Sequence, residues 1–437
     1  MHHRRRRRNG AVSITASPVT RALTLTLVPA LGMGLVVAPA QAQIDPPAVV
    51  GEYLPATREP VQHEGAPVPS PFGIEEYNWY ISDISSHTGG IYYDVVSGFE
   101  DLRANHPDVM DESLDIVVDV NNNADEATIS RAQVDAAADD ADLLTALSDA
   151  FGENLGEHLR TALAENRLPK TRMLLDSGYL SRAGGLASST LIEKEIFGYD
   201  RPFEVAPDRI TKHTGGGNED LYELGGSKAF PSGHTNQASW TTTLLAVLFP
   251  ELGPQLLARG AEAGYNRMVM GVHYPLDVIG GRMTGQAAAG DRWNDQRMQG
   301  VLKQAGEEIR KELEWRTGKP LSEAIAEDSS YRSTETAVAE YTDRMTLGFD
   351  QVGDTDARLT VPQAAPALLS TAYPELSWGQ RARVLAATAL PSGYPLDDQT
   401  ASGREAGNWQ RINLAAAFAA DVSVGADGAL TVNGQPA

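Results

Sequence analysis

The chain has 437 residues, of which 42% are hydrophobic and none is cysteine, and its formal net charge is −22. This length suffices for one large domain with an appendage or for two domains, and the hydrophobic share argues against wholesale disorder. The lack of cysteine excludes disulfides, thiolate nucleophiles and cysteine-type zinc sites. The negative charge disfavours nucleic acid and anionic lipid surfaces as partners.

The first 42 residues have the pattern of a secretory signal peptide. Arg4 to Arg8 form a cationic region, Leu23 to Val37 form an apolar region, and Ala40-Gln41-Ala42 is a small-residue cleavage site. We therefore expect cleavage after Ala42 and a secreted or periplasmic protein. The alternative is an uncleaved membrane anchor, which is disfavoured because the apolar stretch is shorter than a typical membrane span.

The segments that follow differ in character. Residues 43–75 are rich in Pro, Ala and Gly and predict an arm that is extended or wraps the surface. Apolar residues then recur every four positions from Leu143 to Leu163 and predict a buried helical stripe. Residues 203–230 predict a long polar loop, and residues 300–326 an amphipathic surface helix. No run of about 18 apolar residues follows residue 42, so no integral membrane bundle is expected.

Three helical segments are predicted in the middle of the chain, at about 232–249, at 253–268 and from Pro275 onward. The third contains glycines, which favour close packing of helices over nucleotide binding because no strand precedes them. These are Gly280, Gly281 and Gly285.

Two elements are predicted near the C-terminus. Ser377 to Ala389 has the pattern of a capped helix. Residues 422–424 and 430–432 flank a glycine-containing turn and predict a terminal β-hairpin.

Three short motifs stand in order between these elements. They are Lys194 followed after six residues by Arg201-Pro202, then Pro231-Ser232-Gly233-His234, and then Arg267 with His273 and Asp277.

The cationic side chains of these motifs suit a phosphoryl group. Arg201 and Arg267 offer planar forks of donors that fit phosphate oxygens, and Lys194 adds a point charge. Three cations around a tetrahedral anion also neutralise charge that builds on its equatorial oxygens. Ser232 and Gly233 stand where a helix begins, so backbone N–H groups and the helix dipole favour an anion there.

The two histidines suit covalent chemistry. One histidine must attack phosphorus while neutral, and the other must protonate the leaving oxygen. Asp277 follows His273 by four residues, within reach of the Nδ1–H of the imidazole, which leaves Nε2 as the nucleophile. His234 then takes the role of general acid. One neutral and one charged histidine predict a bell-shaped, mildly acidic pH profile.

Together, the three motifs resemble the signature of the type 2 phosphatidic acid phosphatase (PAP2) superfamily, which includes bacterial class A non-specific acid phosphatases, membrane lipid phosphatases and vanadium haloperoxidases. The resemblance implies an all-α, acid phosphatase-like helical bundle, here with a small C-terminal extension ending in the hairpin. It also implies a phosphohistidine at His273, acid catalysis by His234 and phosphate binding by the remaining motif residues. These are Lys194, Arg201, Ser232, Gly233 and Arg267. Asn266 departs from the pattern, since the family often has Ser there.

The expected layout has five parts. They are a signal peptide at 1–42, an arm at 43–75, a PAP2-like catalytic domain at 76–300, a connecting amphipathic helix at 301–330 and a C-terminal extension of unassigned role at 331–437.

The expected activity is hydrolysis of a small phosphorylated substrate, a phosphomonoester, without metal or other cofactor, with phosphotransfer to an alcohol as a variant. Two alternatives stay open: a vanadium haloperoxidase that uses the same pocket, with vanadate as its cofactor, and a non-catalytic phosphate-binding protein of the cell envelope. The resemblance is compatible with a homo-oligomer, since related soluble enzymes often associate.

Overall fold

A computed structural model describes residues 59–73, 76, 92–138, 143–176, 190–214, 219–224, 226–397 and 406–437. The predicted signal peptide at 1–42, its cleavage after Ala42 and the first part of the predicted arm lie outside these residues. Within the described part the chain is mainly helical, as predicted, and carries a small C-terminal sheet. None of the helices found there is both long and apolar enough to cross a bilayer.

The described part of the arm, residues 59–73, runs without a helix or strand along the protein. The guanidinium of Arg167 donates to the carbonyl oxygens of Val61 and Pro67, each at 2.7 Å. The same guanidinium forms a buried ion pair with Glu312 at 2.6 Å. The arm is therefore attached to an ion pair that is itself buried.

Short helices form the N-terminal half of the fold. They are α1 (Tyr93–Val96), α2 (Gly98–Asn105), α3 (Pro107–Asn123), α4 (Glu126–Ala137), α5 (Leu143–Leu147), α6 (Glu153–Ala164), α7 (Pro169–Leu175), α8 (Leu191–Phe197) and α9 (Pro202–Val205). Short 3-10 helices lie at Ser148–Phe151 and Glu219–Tyr222. The described residues of the predicted polar loop at 203–230 thus include the end of α9 and one 3-10 turn.

The stripe from Leu143 to Leu163 is buried as predicted, but α5, the 3-10 helix at Ser148–Phe151 and α6 carry it rather than one helix. Gly152 separates the 3-10 helix from α6 with a φ of +117°, a conformation that favours glycine. The carboxylate of Asp328 accepts the backbone N–H of Leu155 at 2.8 Å, which caps α6. The four-residue spacing fits a helix on either side of the break, so it did not reveal the break.

The longer helices follow. They are α10 (Gly233–Leu248), α11 (Gly253–Val269), α12 (Pro275–Asn294), α13 (Gln296–Thr317), α14 (Leu321–Glu327) and α15 (Thr334–Thr346), with a 3-10 turn at Pro250–Leu252. The single helix predicted at 300–326 is therefore two helices. Gly318, with a φ of +67°, ends α13, and Pro320 precedes α14.

Helices α10 and α12 pack closely because glycines face α10. A methyl group at Gly285 would lie 2.6 Å from the carbonyl oxygen of Asn236, and one at Gly281 would lie 2.8 Å from the Cβ of Thr235. Both distances are shorter than van der Waals contact. Only glycine at these positions therefore allows the two helices to pack this closely. This confirms the packing role predicted for these glycines.

The C-terminal part contains a 3-10 helix at Ala365–Leu369, α16 (Trp378–Ala387), a 3-10 turn at Trp409–Arg411, α17 (Leu414–Phe418) and strands β1 (Val422–Val424), β2 (Leu430–Val432) and β3 (Gln435–Pro436). Ser377 caps α16 as predicted, with its hydroxyl accepting from Gln380 N–H at 3.3 Å. Strands β1 and β2 form the predicted antiparallel hairpin, with Ser423 opposite Thr431, and β3 adds an unpredicted third strand.

One hydrophobic core includes residues from both ends of the described chain. Trp409, Ile412 and Leu414 are buried in the same cluster as residues of α10 to α12. Arg282 of α12 donates to the carbonyl oxygen of Gln410 at 2.9 Å. The C-terminal segment therefore packs against the helices that carry the second and third motifs.

Candidate active site

The second motif forms the start of α10. The hydroxyl of Ser232 caps the helix by accepting the N–H of Thr235 at 3.2 Å, and Gly233 is the first helical residue. The peptide bond between Phe230 and Pro231 is cis. This arrangement brings the start of α10, with the backbone N–H of Gly233, to the site, as the sequence predicts.

The third motif spans the end of α11, a tight turn and the start of α12. Gly271 closes α11 with a φ of +67°; its N–H bonds to Met268 O at 2.8 Å, and Val272 N–H bonds to Arg267 O at 3.2 Å. This is the hydrogen-bond pattern of a glycine-ended helix. The chain reverses within three residues, and Pro275 then starts α12.

Both ring nitrogens of His273 have partners. Nδ1 lies 3.1 Å from Oδ2 of Asp277, which also accepts the N–H of Tyr274 at 2.8 Å. Nε2 lies 3.1 Å from Nη1 of Arg201. A guanidinium only donates, so Nε2 accepts and the ring proton resides on Nδ1, facing Asp277. His273 and Asp277 are both fully buried.

The first motif holds the loop that precedes α10. Arg201 donates from Nε to Ser227 O at 2.7 Å and from Nη1 to Val272 O at 3.0 Å. The ammonium of Lys194 donates to the carbonyl oxygens of Lys228 and Ala229. Both cations are buried, and they reach the site from α8 and from the residue before α9.

His234 lies across the site from His273. The two ring centroids are 6.3 Å apart and the rings are inclined by 63°. His234 is partly exposed, whereas Arg267 is buried. The eight residues predicted from the three motifs are therefore brought to one region by α8, α10, α11 and α12.

Burial and nearby cations lower the pKa of both histidines. For His273, burial has the largest effect, followed by Arg201, Lys194 and Arg267. For His234, burial again leads, followed by Arg267, Arg201 and Lys194. Burial raises the pKa of Asp277, while the N–H of Tyr274 and the charges of Lys194 and Arg201 oppose that rise. Without an anion, the site thus favours neutral imidazoles.

The sequence did not point to the tyrosine pair next to the site. The rings of Tyr199 and Tyr274 lie 4.9 Å apart. Burial and then the charge of Asp277 raise the pKa of Tyr199, so its phenol stays protonated at neutral pH. Tyr274 directly follows His273, but no spacing rule connects a lone tyrosine at 199 to it.

Asn121 is another residue near the site that the sequence did not point to. Its side-chain amide donates to Val269 O at 2.7 Å and to Thr211 O at 2.9 Å, and it is fully buried. It therefore fixes the end of α11 just before the turn that carries His273. In the described part of the chain, no group of three or more His, Asp or Glu side chains is placed to hold a metal ion.

Asn266, the position that departs from the motif, turns away from the phosphate-binding residues. Its Nδ2 donates to Oδ2 of Asp135 at 2.7 Å, and Nη1 of Arg259 donates to the same oxygen at 3.0 Å. The side chain thus belongs to a buried polar network between α4 and α11.

Comparison with known proteins finds similarity in the segment that carries the site. Residues 177–299 match the family model of the PAP2 superfamily, and this segment contains all three motifs. A non-specific acid phosphatase of Providencia stuartii is 30% identical over 177 residues, which are 40% of this chain and 66% of that protein. A non-specific acid phosphatase of Salmonella typhi is 31% identical over 117 residues, or 27% of this chain and 44% of the relative.

A third such phosphatase, from Salmonella typhimurium, is 31% identical over 97 residues, which cover 22% of this chain and 37% of that protein. The chain thus spans just under two thirds of the first of these relatives and less of the others. Residues 177–299 are thus similar to the PAP2 superfamily, and the chain resembles bacterial non-specific acid phosphatases.

Proposed function

We propose that this protein is a phosphatase that hydrolyses phosphomonoesters without a metal ion, through a phosphohistidine at His273. The observation that carries the proposal is the pair of contacts made by that imidazole. Asp277 holds the Nδ1–H at 3.1 Å, and the Nε2 lone pair is directed at Arg201, 3.1 Å away. A neutral imidazole with a fixed tautomer and a lone pair facing a cationic site is a nucleophile for a phosphoryl group.

The reaction has two balanced steps. In the first, Nε2 of His273 bonds to phosphorus, the ester P–O bond breaks, and His234 gives its proton to the leaving oxygen. In the second, His234 takes a proton from water, the water oxygen bonds to phosphorus, and the P–N bond breaks to release phosphate. An alcohol in place of water would receive the phosphoryl group and give phosphotransfer.

The cations supply the binding and the charge stabilisation. Lys194, Arg201 and Arg267 would surround the equatorial oxygens, and the hydroxyl of Ser232 and the N–H of Gly233 would add donors at the start of α10. A phosphate dianion would also offset the cations that lower the pKa of His234. His234 would therefore gain its proton together with the substrate, as a general acid requires.

The first experiment is hydrolysis of 4-nitrophenyl phosphate in EDTA, with wild type, His273→Ala and the matched control His158→Ala, a histidine outside the site on α6. We expect turnover by wild type and the control, inhibition by vanadate and no turnover by His273→Ala. Wild type denatured rapidly in alkali should carry a phosphoryl group on His273 that is stable to base and is lost in acid. Bromide oxidation after addition of vanadate and peroxide, without ester hydrolysis, would instead indicate a haloperoxidase.

A second experiment tests the role of His234. His234→Ala should lower kcat by about 10²- to 10⁴-fold for an alkyl phosphate, whose leaving oxygen needs a proton. The loss should be much smaller for 4-nitrophenyl phosphate, whose leaving group departs as a stable anion. Equal losses for the two substrates would assign His234 to phosphate binding instead.

We also infer that the protein is exported, because residues 1–42 have the signal-peptide pattern. N-terminal sequencing of protein collected outside the cytoplasm should begin at Gln43. Protein that retains Met1 in a membrane fraction would indicate the uncleaved anchor.

A further inference from the structure

A buried network of charged side chains holds α11 against α4. Both oxygens of the Asp135 carboxylate accept from Arg259, and Nδ2 of Asn266 donates to Oδ2 of Asp135 at 2.7 Å. Arg259 also donates from Nε to Oδ1 of Asp149 at 3.1 Å. Asp135, Arg259 and Asn266 are each 7% exposed or less, so the bonds among them are shielded from solvent.

The network stays charged in mildly acidic solution. Arg131 donates to Oε2 of Glu262 and to Oδ2 of Asp149, each at 2.6 Å. The hydroxyl of Tyr331 donates to the same oxygen of Glu262 at 2.6 Å. Burial opposes the charged form of Glu262, but the hydrogen bond from Arg131 and the charges of Arg259 and Arg131 outweigh it and lower the pKa of Glu262 to about 2. The network therefore holds α11 at the mildly acidic pH expected for the reaction.

The face of α11 that carries this network ends beside an arginine of the third motif. Arg259, Glu262 and Asn266 are spaced by three and four residues, so they lie on one face of the helix, toward α4. Arg267 is the next residue and projects about 100° around the helix axis from Asn266. The helix ends two residues later, at Val269. The direction of the Arg267 side chain therefore depends on how this last turn is held.

We propose that Asn266 is a positioning residue for Arg267. By binding the ion pair of Asp135 and Arg259, Asn266 fixes the last turn of α11 and thereby the direction from which the Arg267 guanidinium reaches the phosphoryl oxygens. A guanidinium held in place in advance binds an anion with a smaller loss of conformational freedom.

This inference rests on the proposed function, in which Arg267 binds phosphate. It gives a physical reason for the departure from the PAP2 pattern at position 266. The hydroxyl oxygen of a serine lies one bond from Cβ, whereas Nδ2 of asparagine lies two bonds from it. With this backbone, a serine would not reach Asp135, and the longer asparagine does.

Binding of orthovanadate, measured by calorimetry on the full protein, tests this role without relying on turnover. Asn266→Ala should raise the vanadate dissociation constant roughly five- to twentyfold, because Arg267 is no longer held in place. The variant should fold, since Asp135 keeps its bonds to Arg259. If it does not, Asn266→Ser leaves a smaller gap and should weaken binding in the same direction. An unchanged dissociation constant would overturn the proposal.

A double-mutant cycle separates positioning from a general structural effect. Arg267→Ala removes the guanidinium, so in that background Asn266→Ala should change vanadate binding by less than about twofold. The same loss in both backgrounds would show that Asn266 acts on the site as a whole, which contradicts the proposal. Vanadate binding that does not respond to Arg267→Ala would contradict it too, because Arg267 would then not bind the anion.

The same measurements distinguish this proposal from the proposed function. A wild type that binds vanadate and passes the cycle but hydrolyses no ester would refute the phosphatase and leave the positioning role in place. A wild type that binds no vanadate would refute both.

Tyr331→Phe is the matched control. It also removes one hydrogen bond to a carboxylate of the network, but at Glu262, more than one helical turn before Arg267. We expect both Tyr331→Phe and Asn266→Ala to lower the melting temperature. Vanadate binding should stay within about twofold of wild type in Tyr331→Phe and weaken in Asn266→Ala. Equal weakening in the two variants would mean that loosening the network anywhere disturbs the site, and Asn266 would then have no special role.

Discussion

Both ring nitrogens of His273 have fixed partners in the folded protein, which is why we propose this residue as the nucleophile. Asp277 accepts from Nδ1, and Arg201 donates to Nε2. The backbone closes the same unit, since Ser232 N–H bonds to Asp277 O at 2.9 Å. The start of α10 and the start of α12 are thus held together at the residue that accepts from Nδ1 of His273.

Asp277→Asn tests this orientation. The amide is neutral and can present its NH₂ to the ring, so it no longer fixes the tautomer or stabilises positive charge on the imidazole. We expect kcat to fall by about 10²- to 10⁴-fold with little change in KM. Steady-state kinetics check this, with the melting temperature as a control for folding. A loss of less than tenfold would show that Asp277 does not act through His273.

The pH profile tests the electrostatics of the same residue. His273 must be neutral to attack, and burial together with Arg201 and Lys194 lowers its pKa below 6.5. The acidic limb of kcat/KM should therefore lie below pH 6.5, since activity is lost only when pH falls through this lowered pKa. Lys194→Met removes one cation and should move that limb to higher pH. A limb that stays in place would mean that another group controls it.

The sequence was sufficient to find these residues because the chemistry needs particular residue types at particular spacings. Asp277 is four residues from His273, and Ser232-Gly233 stands at a helix start, so both relations are local. Tyr199 and Asn121 were not found, because each reaches the site through contacts across 70 or more residues of sequence. A rule based on local spacing has no means of detecting such contacts.

At the scale of elements, glycine decides how closely α10 and α12 pack. In Gly285→Ala, the added carbon would lie 2.6 Å from Asn236 O and 2.7 Å from the Cβ of Ser239. Backbone atoms on a packed helix do not yield easily, so we expect a loss of about 1–3 kcal/mol in the free energy of unfolding. Chemical denaturation measures it.

Gly300→Ala is the matched control for that substitution. Gly300 lies in α13, and nothing stands within 4 Å of an added carbon. Alanine there should stabilise the protein by about 0.5–1 kcal/mol through helix propensity. If both substitutions had the same sign, helix propensity rather than packing would explain them.

The sequence did not predict two of the helix boundaries. The breaks at Gly152 and Gly318 fall inside stretches whose apolar pattern continues on both sides. A glycine inside a helical pattern is compatible with either continuation or termination. Here termination is favoured by distant partners, since Asp328 caps the helix that follows Gly152.

At the scale of the whole molecule, the C-terminal extension shares the core of the helices that carry the motifs. The sequence predicted its helix and hairpin but not where they dock, because docking depends on contacts such as that between Arg282 and Gln410 O. Its buried residues include Trp409, Ile412 and Leu414, each 1% exposed or less. Loss of such residues removes apolar burial from α12 and leaves Arg282 with fewer partners.

Two truncated chains test how far this core is shared. A chain ending at residue 330 loses the buried residues near Trp409, and we expect it to lack a cooperative unfolding transition and phosphatase activity. A chain ending at Ala420 loses only the three-stranded sheet, whose buried side chains are Leu430 and Val432. It should fold with a lower melting temperature. Calorimetry and ester hydrolysis distinguish the two, and a folded, active chain ending at 330 would show that residues 331–437 are a separable appendage.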